Sequence, residues 1–133
     1  MLRKSILVIS DQHAPYHHID TLDFLSAIKQ KYKPDCVVNI GDEMDWHSIS
    51  FHDSHPGLYS PSHELVVAKR FFKDLESLFP KQYVMDSNHG SLVFRKATRH
   101  GMPHEIFKSY NHMLGVGKGW SWHEDLVIKA SNG

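Results

Sequence analysis

Three short apolar runs, each parted from the next by an amphipathic stretch, leave this chain few folds to choose from. They are residues 5–10 (Ser-Ile-Leu-Val-Ile-Ser), 36–40 (Cys-Val-Val-Asn-Ile) and 82–86 (Gln-Tyr-Val-Met-Asp). Each has the length of a buried strand. Between the first two, residues 20–32 place Leu22, Leu25, Ile28 and Tyr32 on one helical stripe, with Asp20 as N-cap. Pro34-Asp35 turns the chain into the second run. Before the third, Ser60-Pro61 opens a helix with Leu65, Ala68, Phe72, Leu75 and Phe79 on its apolar face, and Pro80 stops it. Strands alternating with helices predict βαβαβ units, an α/β fold and a parallel sheet. The pattern continues with a helix over residues 91–100, a break at Met102-Pro103, a short helix over 104–113, a loop over 115–119 and a last strand over 125–130.

The residues just beyond each strand carry the chemistry. Asp11-Gln12-His13 comes after the first, Gly41-Asp42 after the second and Asn88-His89 after the third. Ligands bind beyond the carboxyl ends of strands in open α/β sheets. Residues i and i+2 of an extended chain face the same side, so Asp11 and His13 can share one metal. A carboxylate with an imidazole suits Mn2+, Fe or Zn2+. Gly41 lets the backbone turn sharply beside Asp42, whose carboxylate can bridge two ions. Asn88 offers a neutral oxygen, and His89 can reach a phosphate or a leaving group. Taken singly, Asp-x-His arises by chance and Gly-Asp is a common turn. Three such pieces at three successive strand ends are much less easily produced by chance.

The pattern resembles the calcineurin-like metallophosphoesterases, whose signature runs D-x-H, then G-D, then G-N-H-[DE], then two later histidine motifs. The likeness covers about residues 5–95, and Ser87-Asn-His-Gly-Ser91 adds a looser similarity to phage-encoded members. The resemblance implies a hydrolase, a phosphatase or phosphodiesterase, in which a metal-bound hydroxide attacks phosphorus. It implies two divalent ions, Mn2+ foremost, with Fe or Zn2+ as alternatives. Asp11 and His13 would hold the first ion, Asp42 would bridge both, and Asn88 would hold the second. His89 would be the catalytic residue at the departing oxygen. The implied fold is the first half of a layered α/β sandwich. Two departures stand out: Ser87 replaces the family's glycine, and Gly90 replaces the acid that orients the histidine. After residue 90, His100, His104, His112 and His123 are preceded by Arg, Pro, Asn and Trp, so no Gly-His segment supplies the remaining ligands. None of the four is expected at a strand end.

Length and composition bound the rest. The 133 residues suffice for one domain, 1–133. Fifteen Lys/Arg balance fifteen Asp/Glu, so no net charge points to nucleic acid or membrane. The halves differ: residues 1–66 hold five basic and nine acidic side chains, residues 67–133 ten and six. The single Cys36 lies in an apolar strand and reads as a buried thiol, fitting a reducing compartment. No signal peptide or membrane span is visible, so the expected place is the cytoplasm, the host's for a phage-encoded member. Asn132-Gly133 after a strand is a hairpin signal, and it predicts a chain that stops mid-fold. A frayed polar terminus is the plainer alternative. An unpaired last strand would favour self-association through its edge.

Residues 43–60 form a long connection, and connections of this length are usually functional. His47, His52, His55 and His63 lie in or just after it, at spacings that match no familiar zinc pattern. A rim role, with His52 touching substrate, fits better. Asp45 is either a turn residue or a hydrogen-bonding support for Asp42, and His17-His18 reads as loop surface, with a site role left open by its nearness to Asp11. Arg95 and Arg99 share a helical face, as a phosphate or nucleic-acid contact or as a plain solvated face. Gly115-Val-Gly-Lys-Gly119 fails the phosphate-loop pattern, with His at 112 and Gly after Lys118. The partner expected is a phosphoester, a nucleotide or nucleic-acid end among the candidates. The alternatives are a non-catalytic chain that binds metal weakly or serves as a binding module, and a structural zinc protein.

Overall fold

A computed structural model of the chain describes residues 4–129. The three apolar runs form β1 (Ile6–Ile9), β2 (Cys36–Asn39) and β3 (Gln82–Met85), and a fourth strand, β4 (Trp120–His123), completes one sheet. All neighbours are parallel and the order is β1-β2-β3-β4, so the chain is an α/β domain as its alternation predicts. The connections carry α1 (Thr21–Tyr32), α2 (Pro61–Leu78), α3 (Leu92–Arg99) and α4 (Tyr110–Leu114). Right-handed crossovers running in one direction put every helix on the same face. The core matches: Ile9, Val37, Val84 and Trp120 from one face of the sheet meet Leu25 of α1, Phe72 and Leu75 of α2, Leu92 of α3 and Leu114 of α4. On the opposite face Ile6 and Val8 are 41% and 56% exposed.

Local chemistry explains the helices. In α2 the Ser60 hydroxyl accepts from the His63 N–H, and Pro61 occupies the first turn where its missing donor costs nothing. Ala68, Phe72 and Leu75 of its stripe are fully buried, each large side chain contributing about 1.5–3 kcal/mol. Asp20 sits at the N-cap of α1, but its side chain makes no cap bond; the Thr21 hydroxyl instead donates to the His18 carbonyl at 2.7 Å. The Lys29 ammonium donates to the Leu78 carbonyl at 2.6 Å, tying α1 to the negative end of α2.

The C-terminal third departs from the sequence reading. The last strand is Trp120–His123, not 125–130: residues 126–129 have no regular structure, and Val127 is 88% exposed. The alternation Trp-Ser-Trp-His is the true strand signal, because Trp120 is buried at 1% exposure and its indole N–H donates to the Phe79 carbonyl at 3.0 Å. Gly119 permits that approach, since a Cβ there would lie 2.0 Å from the Pro80 carbonyl oxygen. The helix expected over 104–113 is two pieces, a 3-10 turn at His104–Ile106 and α4, because Phe107 is extended and the Ser109 hydroxyl restarts the helix as N-cap. Among the described residues, 125–129 form no edge strand and Ala130 lies outside them; the edges of the sheet are β1 and β4. The Asn132-Gly133 hairpin signal lies outside the described residues.

Candidate metal centre

Beyond their last paired residues, β1 and β2 stay zipped together. The Asp11 N–H donates to the Gly41 carbonyl at 3.1 Å, His13 to Asp42 at 2.9 Å, Ala14 to Glu43 at 2.8 Å, and Asp45 back to Ala14 at 3.0 Å. Within this zip Asp11, His13 and Asp42 adopt left-handed backbone, with φ of 51°, 47° and 53°. Such angles cost an L-residue about 1–2 kcal/mol, and clustered strain of this kind gathers at functional sites. The pair Asp11 and His13 is thus not the extended pleat that i, i+2 spacing suggests. The two side chains still converge, because Gln12 between them turns inward: its amide donates to the Ser10 carbonyl and accepts from Asn39, both at 2.7 Å.

The result is a group of three ligand atoms from Asp11, His13 and Asp42, all within 4.8 Å of one another. A second group with the same spacing joins His13, Asp45 and His89. The hydrogen bonds separate their roles. His13 Nδ1 lies 2.8 Å from Asp45 Oδ1, which assigns the ring proton to Nδ1 and leaves the Nε2 lone pair facing Asp11 at 3.7 Å. An imidazole held by a carboxylate on its far side is the usual arrangement of a ligating histidine. Two carboxylates and this imidazole could together hold a metal ion. Asp45 therefore supports His13, not Asp42. It lies three residues after Asp42, a spacing that marks it in the sequence only once its partner is known.

β3 closes the site from the other side. Gly41 has φ of 106°, and a Cβ on it would lie 2.4 Å from Ser87 Cβ. That close contact lets the Ser87 hydroxyl accept from the Asp42 N–H at 2.9 Å and from the Gly90 N–H at 3.0 Å. Ser87, where the resemblance leads one to expect glycine, thus joins the second and third motifs. The His89 N–H donates to Asp42 Oδ1 at 3.1 Å, and its Nδ1 meets the Asp45 carbonyl oxygen. The His89 ring stands edge-on to His13, centroids 4.7 Å apart. With Gly90 unable to orient His89, Asp45 does so through its backbone. Asn88 borders the site, but its amide oxygen accepts from Arg95 at 2.7 Å.

Other predicted residues fall into place around this centre. His89, Asn88, His52, Phe51 and Arg95 line a cavity of about 240 Å³, which sets His52 and Arg95 beside His89. A larger cavity, about 500 Å³, lies on the β1 side and is lined by Asp11, His13, Tyr16 and His17. His17 is half-buried: it stacks on Phe71 at 3.8 Å, and burial pushes its pKa below the ordinary imidazole value. Among the described residues no loop histidine joins a ligand group; His47 Nε2 accepts from the His55 N–H instead. His123 ends β4, contrary to expectation, yet its Nε2 pairs with the Ser121 hydroxyl at 2.7 Å and its ring lies against Tyr83, away from the ligand groups.

Two buried carboxylates had no sequence signal. Glu64 of α2 accepts from the N–H groups of His47 and Ser48, at 2.9 and 3.0 Å, and from the Ser48 hydroxyl. It thereby fixes the start of the long loop. Glu43 lies fully buried under the centre with the Trp122 indole and Tyr110 hydroxyl beside it. Burial pushes its pKa up to about 7. Tyr110 also holds the loop, its hydroxyl accepting from the buried Trp46 indole at 3.0 Å.

A solved crystal structure is similar over 91% of this chain and 46% of its own chain, at 13% identity and a TM-score of 0.48. This chain thus spans less than half of that structure's length. No protein-family model and no curated protein matches the sequence. No helix among the described residues is long and apolar enough to cross a membrane.

Proposed function

We propose that this chain is a metal-dependent phosphoesterase of the calcineurin-like kind, hydrolysing phosphate mono- or diesters. The observation that carries the reading is the Asp11–His13–Asp42 group, three ligand atoms within 4.8 Å on left-handed backbone at two adjacent strand ends. Two ions, Mn2+ foremost, would be held by Asp11, His13, Asp42 and Asn88. When bound, they would neutralise the phosphate and lower the pKa of water. Asp42 would be the ligand shared by both ions, and its Oδ1 accepts from the His89 N–H. His89 donates Nδ1–H to the Asp45 carbonyl and so presents Nε2 to the departing oxygen, to which it would give a proton as the imidazolium, protonated on both nitrogens. Asp45 accepts from Nδ1 of both rings, which leaves Nε2 of His13 as the ligand atom and turns Nε2 of His89 outward.

The test is hydrolysis of a generic aryl phosphate diester with Mn2+. Turnover that disappears in Asp42→Ala while the fold persists supports the reading. Turnover unchanged in that variant, or metal binding that survives Asp11→Ala with Asp42→Ala and is lost only with His52 and His55, overturns it.

A second reading is a one-metal, non-catalytic chain. It draws on Asn88, whose oxygen is engaged by Arg95, leaving the second ion with few ligands. A Mn2+ stoichiometry of one with no turnover would favour it.

A further inference from the structure

Three cations converge on one aromatic ring at the edge of the His89 cavity. The Arg99 guanidinium lies 4.1 Å from the centroid of Phe51, the Lys96 ammonium 4.6 Å and the Arg95 guanidinium 5.8 Å. Among the described residues none of the three has a carboxylate within ion-pair distance; every ion pair found involves a histidine. Like charges gathered without counter-charge repel one another, and the arrangement is relieved by a polyanion. Arg95 and Lys96 are partly spent on protein oxygens, Arg95 on Asn88 and Lys96 on the Ser50 carbonyl at 3.0 Å. Among the described residues, the Arg99 guanidinium has only the ring as partner. Phe51 itself remains 37% exposed.

We propose that Phe51 with Arg95, Lys96 and Arg99 seats the strand of a single-stranded nucleic acid beside the scissile phosphate. The proposal rests on the phosphoesterase reading for which bond is cut, and it names the substrate class. A monoester needs one phosphate site, which the metal centre provides. Cations gathered on Phe51, of which Arg95 lines the adjoining cavity, serve phosphates further along a chain. An aromatic ring flanked by arginines is the surface on which bases stack without sequence preference. A chain of bare phosphates has no use for the ring, which favours nucleic acid over polyphosphate.

The experiment is fluorescence anisotropy of a short labelled oligothymidylate with the whole chain, under chelator so that no turnover consumes the probe. Arg99→Ala is expected to weaken binding and to flatten the dependence of log affinity on log salt by about 0.7. Phe51→Leu is expected to weaken it about five-fold or more, with little effect on competition by tripolyphosphate. Lys31→Ala, the same charge loss on α1, serves as control. No binding by the chain, equal losses in Arg99→Ala and Lys31→Ala, or tight binding untouched by Phe51→Leu would overturn the proposal. Oligothymidylate binding that tracks these variants, in a chain that hydrolyses no aryl diester with Mn2+, would uphold the seat and sink the phosphoesterase reading.

Discussion

Asp45 Oδ1 lies 2.8 Å from His13 Nδ1, joining two residues 32 positions apart in the chain. The bond settles which nitrogen of His13 is available to a metal. Removing the carboxylate frees the ring to rotate and to exchange tautomers. Asp45→Ala is expected to weaken Mn2+ binding about 10–100-fold with the fold intact. Calorimetric titration with Mn2+ measures it, and an unchanged affinity would remove Asp45 from the centre.

Gly41 tolerates no side chain. Its φ of 106° is unfavourable to any L-residue, and Ser87 Cβ and the Met85 carbonyl stand 2.4 and 3.2 Å from where a Cβ would be. Gly41→Ala should destabilise the domain by at least ~2 kcal/mol, backbone strain and displaced β3 together. Urea unfolding reads the loss directly. Trimming the neighbour with Ser87→Gly should not restore stability, because the backbone strain remains and the Asp42 and Gly90 N–H groups lose their acceptor.

Ser87 gives a separate measure of how the motifs are joined. Ser87→Ala leaves the N–H groups of Asp42 and Gly90 without their acceptor. The expected cost is about 1–3 kcal/mol. Amide exchange at Asp42 and Gly90 should accelerate more than exchange in α2, and uniform acceleration would contradict a local role.

Glu64 anchors the loop from the far side of the site. Glu64→Ala strips the acceptor from three donors on His47 and Ser48. A loss of about 2–3 kcal/mol is expected, since bonds to a charged acceptor exceed neutral ones. Glu64→Gln, which keeps one oxygen, should lose less. Thermal unfolding of the two variants ranks them.

His17 supplies a pH dependence. Its folded pKa is lowered by burial from 6.5, so below 6.5 the unfolded chain binds more protons than the folded one. This stability is present above pH 6.5 and is lost as pH falls below it. His17→Phe keeps the stacking on Phe71 and removes the proton, so it should flatten the decline. A variant that declines as steeply as the parent would assign the effect to another group.

Much of the fold was legible because its signals are local. The runs at 5–10, 36–40 and 82–86 each contain their strand, and Ser60-Pro61 marks the start of α2 to the residue. β4 was missed because Trp120-Ser-Trp-His123 reads as an aromatic patch until Phe79 and Pro80 are placed against it. The stretch 125–129 shows the reverse error, a short apolar run that no neighbouring strand accepts.

For the site, the sequence by itself determined which groups end the strands: Asp11, His13, Asp42, Asn88 and His89. Order and spacing suffice for that, since a strand and the turn after it are short-range structures. Only the tertiary structure decided how those groups are held. The left-handed backbone of Asp11, His13 and Asp42 exists because the two loops bond to each other across thirty residues of chain. Asp45, Ser87, Glu64 and Phe51 draw their roles from partners distant in sequence. Contacts of that range leave no periodic trace, because they are fixed by which elements pack together and not by the residues beside them.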